Sequence, residues 1–256
     1  MSAPTSITPR TPNPQATNAA PFSQIVLAQT RVELLMTLRR GESLLITVLI
    51  PIGALIVTAA LKVASISFLL PGILTLAIMS TGLVSLGIAT AYERYYGVLK
   101  RLGTSPLSRT GLVLAKSLSV LVVEIGQVIL LTLIGAIFYG WRPTGSLIMT
   151  LVVMLIGSAT FVGLGMLMAG GLRAEATLAG ANALYLVFLV IPGVLFPLND
   201  APGVVQAIAQ FLPSTALADS LRGAMTSQGT PIGALLILIV WGIIFLAATA
   251  FTFKWE

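Results

Sequence analysis

The 256-residue chain contains no cysteine and no histidine, and only 9% of its residues are charged. Without those two residue types it cannot build a protein-ligated haem, an iron–sulfur cluster, a thiolate nucleophile or a Ser–His relay. A zinc site would have to be all-carboxylate, an uncommon ligand set. Disulfides are excluded too, so cysteine usage says nothing about compartment. The scarcity of charge is equally restrictive. A soluble domain usually carries about 25% charged residues. Here 14 Lys and Arg with 8 Asp and Glu would have to coat a chain that is 57% hydrophobic, and roughly half of any small domain faces water. A soluble single domain is ruled out.

What is present is long apolar runs. Residues 1–21 hold five prolines (Pro4, Pro9, Pro12, Pro14 and Pro21) and one charge, Arg10. That composition cannot bury a core and reads as a disordered cytoplasmic tail. It has no apolar signal-peptide region. From Phe22 to Arg40, Phe22, Ile25, Val26, Val32, Leu35 and Met36 recur at helical steps, with Gln29, Arg31, Glu33, Arg39 and Arg40 between them. Such a stripe suits a helix lying in the membrane interface, or a cytoplasmic extension of the first span. Beyond it, apolar segments run near 43–61, 68–91, 111–139, 146–169, 177–198 and 231–253. Crossing a hydrocarbon core of about 30 Å takes about 20 helical residues. The expected fold is therefore an all-α integral membrane protein with six transmembrane helices. Pro51 would lie inside the first span and Pro192 inside the fifth, which membrane bundles tolerate.

Lys and Arg counted beside these spans set the orientation. With the N-terminus inside, Arg10, Arg31, Arg39, Arg40, Arg94, Lys100, Arg101, Arg109, Lys116, Arg173 and Lys254 fall on the cytoplasmic side. Only Lys62, Arg142 and Arg222 fall outside. Both termini are thus expected in the cytoplasm, in a multi-pass protein of the cell membrane. The net charge of +6 then faces anionic lipid and a cytoplasmic partner. No basic face with groove-fitting or aromatic elements is present, so nucleic acid is rejected as a partner. The two three-span halves show no repeat, which gives an inverted-repeat carrier no support.

Three segments could carry function. The first is the cytoplasmic loop 92–109, YERYYGVLKRLGTSPLSR. It is too polar for lipid, yet Tyr95, Val98, Leu99 and Leu102 can share a helical face that Gly103 and Pro106 end. It reads as a docking element or as a solvated loop that sets topology. The second is 199–230, too mixed to span and too apolar to float free. There Val204, Val205, Ile208, Phe211 and Leu212 could dip into the outer leaflet, or form an ordinary loop. The third is Glu124, in the middle of span three. A charge there costs roughly 2.5–3.5 kcal/mol on insertion scales and must face the bundle or water. With Gln127 it marks a polar contact in a substrate path or a structural staple between helices. Asn182 and Tyr185 in span five are weaker candidates of the same kind. Small residues four apart, Ala136 with Gly140 and Gly165 with Ala169, permit close helix approach.

Two motifs carry a family resemblance. Glu93-Arg94, Gly97-Val98-Leu99-Lys100-Arg101-Leu102 and Ser105-Pro106-Leu107-Ser108-Arg109 resemble the loop of ABC-2 type permeases, the membrane subunits of ABC exporters that include drug-resistance exporters of the daunorubicin type. Tyr95 stands where that family typically has a second acidic residue. The resemblance implies a coupling helix that docks on an ATP-hydrolysing subunit through Glu93, Arg94, Tyr96, Gly97, Lys100, Arg101, Leu102 and Pro106. The run Pro192-Gly193-Val194-Leu195-Phe196-Pro197, with Pro202, Pro213 and Leu221-Arg222, resembles the family's block between its last two spans. It implies a short re-entrant or interfacial outer segment marked by Gly193, Phe196, Pro197, Pro213 and Arg222. The implied domain is one ABC-2 type transmembrane unit over 22–256.

The implied partners are ABC ATPase subunits, a second permease that is identical or homologous, and membrane lipid. ATP and Mg would be bound by the ATPase partner, with no cofactor, metal or catalytic residue in this chain. Gly111 to Ser117 ends like a phosphate-binding loop, but Thr110 and Ala115 stand where its glycines are required. The expected function is export of a hydrophobic or amphipathic drug, lipid or glycolipid-like substrate. Alternatives are a membrane-embedded enzyme, a proton-coupled carrier relying on Glu124, or an assembly subunit.

Overall fold

A computed structural model describes residues 20–39 and 41–252. Nearly all of the expected N-terminal tail lies outside that range, as do Arg10, Arg40 and Lys254. Among the described residues the chain is helical, without a strand. Helix α1 (Phe22–Arg39) precedes α2 (Gly41–Ala60), and α3 (Ile66–Met79) runs through a six-residue π-helical segment (Ser80–Ser85) into α4 (Leu86–Tyr95). Then follow α5 (Val98–Leu102), α6 (Arg109–Tyr139), α7 (Leu147–Gly171) and α8 (Ala174–Val190). A short 3-10 turn (Leu198–Asp200), α9 (Gly203–Ala209), α10 (Pro213–Met225) and α11 (Ile232–Thr252) complete the bundle. Among the described residues, four rods are long and apolar enough to cross a membrane: Ile66–Tyr95, Arg109–Tyr139, Leu147–Gly171 and Ile232–Thr252. Two shorter apolar helices, in α2 and α8, occupy the places of the first and fifth expected spans.

The exterior is that of a membrane protein. On α6, Leu114, Leu118, Val122, Ile125, Ile129 and Leu133 form an exposed ridge at three- and four-residue steps. Glu124 and Gln127 lie buried on the opposite face. A helix in water shows the reverse polarity. Helix α3 occupies the centre and is buried from Leu69 to Met79. Pro51 and Pro71 both sit inside helices. Pro192 does not: α8 ends at Val190, and Ile191 turns to an extended conformation. Proline disfavours helical geometry in the residue before it, which accounts for a fifth span shorter than the hydropathy suggested.

Local chemistry sets the remaining ends. The Ser108 hydroxyl accepts from the Gly111 amide and the Ser146 hydroxyl from the Met149 amide, capping α6 and α7. Gly140, with φ of 64°, ends α6 in the left-handed region. The pair Gly165 and Ala169 lies on a tight seam. A Cβ on Gly165 would sit 2.5 Å from the Gly82 carbonyl oxygen of the π segment. Gly165→Val is therefore expected to lower stability by about 1–3 kcal/mol, read as a drop in melting temperature of the purified protein. An unchanged melting curve would mean the two backbones are not in contact.

The segment between α8 and α11 is tied into the bundle. Helix α10 is buried along almost its whole length. The Thr144 and Gly145 amides donate to the Met225 carbonyl, and the Ser146 amide donates to Ala224. Helix α9 stays at the rim, exposing Val204 and Ile208, with Phe211 exposed in the turn that follows, while the Trp241 indole donates to the Phe211 carbonyl at 2.8 Å.

Candidate functional site

A cavity of about 580 Å³ lies between α1, α2, the α3–α4 rod, α6 and α8. That volume falls in the range of small-molecule sites, roughly 300–1,000 Å³. Its apolar lining includes Ile50, Val84, Ile88, Val123 and Leu178. Hydroxyls come from Thr47, Ser80, Thr81, Ser85 and Ser119. The π-helical segment supplies three of these, because its wider turn brings Ser80, Thr81 and Ser85 to the same wall. Such a lining can hold a molecule that is mostly apolar and partly polar.

Three charges converge on this cavity. The Lys116 ammonium, 1% exposed, donates to the Glu33 carboxylate at 2.9 Å and to the Glu93 carboxylate at 2.7 Å. The three side chains come from α1, α4 and α6. The second oxygen of Glu33 accepts from the Gln29 amide at 2.8 Å. A lone ammonium in this interior would be prohibitively desolvated, and two carboxylates offset that cost.

The charge count beside the spans treated Lys116 as a flanking residue; the structure buries it about two turns inside α6. Glu33 likewise stands on the inner face of α1 with Val26, while Phe22, Val32 and Leu35 of the expected apolar stripe face outward. Pattern reading missed both residues because each was assigned to a surface. The available signal was a lysine within an apolar segment, which is costly unless partnered.

The residues expected to dock an ATPase divide between inside and outside. Glu93 is buried on Lys116. The Arg94 guanidinium donates to the carbonyls of Gly170 and Leu172, closing the end of α7. Gly97 has φ of 71° and turns the chain from α4 into α5. Lys100, Arg101 and Pro106 are exposed, and Leu102 is half-buried. The expected apolar face of this loop is corrected: Tyr95 and Val98 are exposed, whereas Leu99 packs with Leu107 and Leu112, flanked by Ile25 and Leu102. The break at Gly97 rotates α5 away from the register of α4. Tyr96 is exposed at the cavity margin, its ring 6.1 Å from that of Tyr92.

The mid-span candidates also separate. Gln127 accepts from the Thr81 hydroxyl at 3.1 Å and donates to the Thr47 carbonyl at 3.2 Å, joining α6 to the π segment and α2. Asn182 and Tyr185 line the cavity, with the Asn182 amide donating to the Leu178 carbonyl of its own helix at 2.8 Å. Glu124 is 0% exposed and lies outside the cavity lining, beside Ser158 of α7. Neither of its oxygens completes a hydrogen bond among the described residues.

In the segment between α8 and α11, Arg222 gathers four acceptors. Its guanidinium donates to Gly193 O at 2.7 Å, Val194 O at 2.6 Å, Phe68 O at 3.3 Å and Asp219 at 2.7 Å. It also lies 3.7 Å from the centre of the Phe68 ring. Gly193 has φ of 108°, and a Cβ there would lie 2.5 Å from the Thr215 methyl. Pro213 is the buried first residue of α10, Phe196 is exposed and Pro197 half-buried.

Known proteins share this arrangement of sequence. The sequence profile of the ABC-2 type transporter family matches residues 24–226, from the first turn of α1 to the end of α10. Over 188 residues the chain is 22% identical to the probable multidrug ABC transporter permease YbhS of Escherichia coli K12, covering 73% of this chain and 48% of that protein. Over 145 residues it is 28% identical to the putative transport permease YvfS of Bacillus subtilis 168, covering 54% of this chain and 56% of that one. The chain spans about half the length of the curated relatives it matches. With the profile match taking in the cavity, the 92–109 loop and the Arg222 clamp, this multi-pass membrane chain belongs to the ABC-2 type transporter family.

Proposed function

We propose that the chain is the permease subunit of an ATP-driven ABC exporter in the cell membrane. It pairs with a second permease, identical or homologous, and with separate ATPase subunits that bind ATP and Mg. Both termini and the 92–109 loop face the cytoplasm. The substrate is a hydrophobic or amphipathic drug, lipid or glycolipid-like molecule, which the mixed lining of the cavity suits. Export requires two states of the bundle, one of which ATP must favour.

The observation that carries this reading is the continuity between an exposed basic loop and the cavity. Lys100 and Arg101 project from α5, while Glu93, a few residues earlier, lines the cavity. An acidic surface on an ATPase subunit would meet that loop first. The double variant Lys100→Glu/Arg101→Glu is expected to accumulate in the membrane normally and to uncouple ATP hydrolysis from transport. The test compares ATPase activity with dye extrusion from cells carrying the chain and its ATPase. Normal coupling in the variant would remove the docking role, and failure of any ATPase to co-purify with the wild-type chain would remove the exporter reading.

A further inference from the structure

We propose that Lys116 is a positioning residue for energy coupling. With Glu33 and Glu93 it forms a node that makes α1, the foot of α4 and the start of α6 move as one piece when the loop after α4 is displaced. The proposal rests on the permease reading above.

Stability alone does not account for the cluster. Replacing a buried ionic cluster by apolar residues of similar volume is often neutral or stabilising. What an ammonium between two carboxylates supplies is registry. Lys116 meets Glu33 and Glu93 simultaneously, at 2.9 and 2.7 Å, from helices 83 and 23 residues away in sequence. A slide of one helix by a turn, about 5.4 Å, separates at least one pair. Glu33 is itself held by Gln29, so the acceptor on α1 is oriented before Lys116 reaches it.

The placement is that of a transmission point. Glu93 lies in the last turn of α4, just ahead of the left-handed turn at Gly97. Its neighbour Arg94 fastens the same turn to the end of α7. Beneath it, α5 rests through Leu99 on the apolar pad of Leu107 and Leu112. Displacement of the loop therefore meets a turn fixed on two sides and is passed on rather than absorbed by bending. All three charged residues line the cavity, so moving the node moves the cavity wall.

The absence of native cysteine makes the test direct. Two pairs of spin labels are placed at exposed positions and the distances read by pulsed electron paramagnetic resonance. Val32→Cys with Leu186→Cys reports the width across the cavity between α1 and α8. Val32→Cys with Thr104→Cys reports α1 against the loop. Each pair is made in the wild type, in Lys116→Arg, and in Glu33→Gln/Glu93→Gln/Lys116→Met, which removes all three charges and so avoids a stranded ion. The chain is purified with its ATPase subunit in lipid nanodiscs, with and without a non-hydrolysable ATP analogue.

In the wild type and Lys116→Arg the analogue is expected to change the α1–α8 distance while the α1–loop distance holds. In the triple variant the α1–loop distribution broadens, and the ratio of shifted to unshifted population falls about tenfold or more. A wild-type response in the triple variant overturns the node. So does a wild-type α1–loop distance that changes as much as the cavity width. If no ATPase co-purifies, or the analogue moves nothing in the wild type, the permease reading fails and the node falls with it.

Discussion

Arg222→Met is expected to cost about 3–5 kcal/mol, because the guanidinium serves four acceptors and an enclosed acceptor left without its donor costs about 1–3 kcal/mol. The side chain is 14% exposed, and its loss leaves Asp219 without its cation and the carbonyls of Gly193, Val194 and Phe68 without their donor. The stacking on Phe68 is lost as well. Those acceptors join the turn after α8, the entry to α3 and the body of α10. The purified protein should melt lower by about 6–20 °C, with proteolysis beginning in the segment 198–212. Arg222→Lys should recover little, because one ammonium cannot present the guanidinium's planar fork to three carbonyls and a carboxylate. A melting temperature within about 2 °C of wild type in Arg222→Met would show that the segment between α8 and α11 is held by apolar packing alone.

Lys116→Met is expected to be comparably severe, at about 3–5 kcal/mol, because it strands the Glu33 and Glu93 carboxylates inside the bundle. The rescue is the informative half. Adding Glu33→Gln and Glu93→Gln to Lys116→Met should bring stability back to within about 1 kcal/mol of wild type, since no buried charge remains. The three substitutions are then strongly non-additive, as side chains sharing one network must be. Thermal unfolding of the wild type, Lys116→Met, Glu33→Gln/Glu93→Gln and the triple variant in one detergent checks this. Additive losses would mean that the three side chains do not act on one another. Recovered stability in the triple variant is also what allows its conformational response to be read as coupling rather than misfolding.

Much of the architecture was legible from hydropathy. The expected spans at 111–139, 146–169 and 231–253 agree closely with Arg109–Tyr139, Leu147–Gly171 and Ile232–Thr252, because about twenty apolar residues in a row leave few alternatives. The block from Pro192 to Arg222 was legible only as a resemblance. Nothing in the composition of α10 announces that Ser214, Thr215 and Ser220 are buried. The site was less legible still. Glu93 and Arg94 were visible as a motif, yet their partners, Lys116 and the end of α7, are contributed by other helices. Gln127 was visible as a polar residue in a span, but the Thr81 hydroxyl that meets it rides on a π-helical turn, and hydrophobic periodicity does not encode such a turn.

The sequence by itself determined that this chain lives in a membrane, roughly where its helices run, and what chemistry it lacks. Those are one-dimensional properties: transfer free energies summed along a segment, and residue types that are present or absent. Only the tertiary structure decided which charges are exposed and which are internal. Lys100 and Lys116 lie sixteen positions apart by their numbers and look alike in composition, yet one is exposed and the other is enclosed by two carboxylates. The physical reason is that the cost of a charge depends on what surrounds it in space. For Lys116 those surroundings come from α1 and α4.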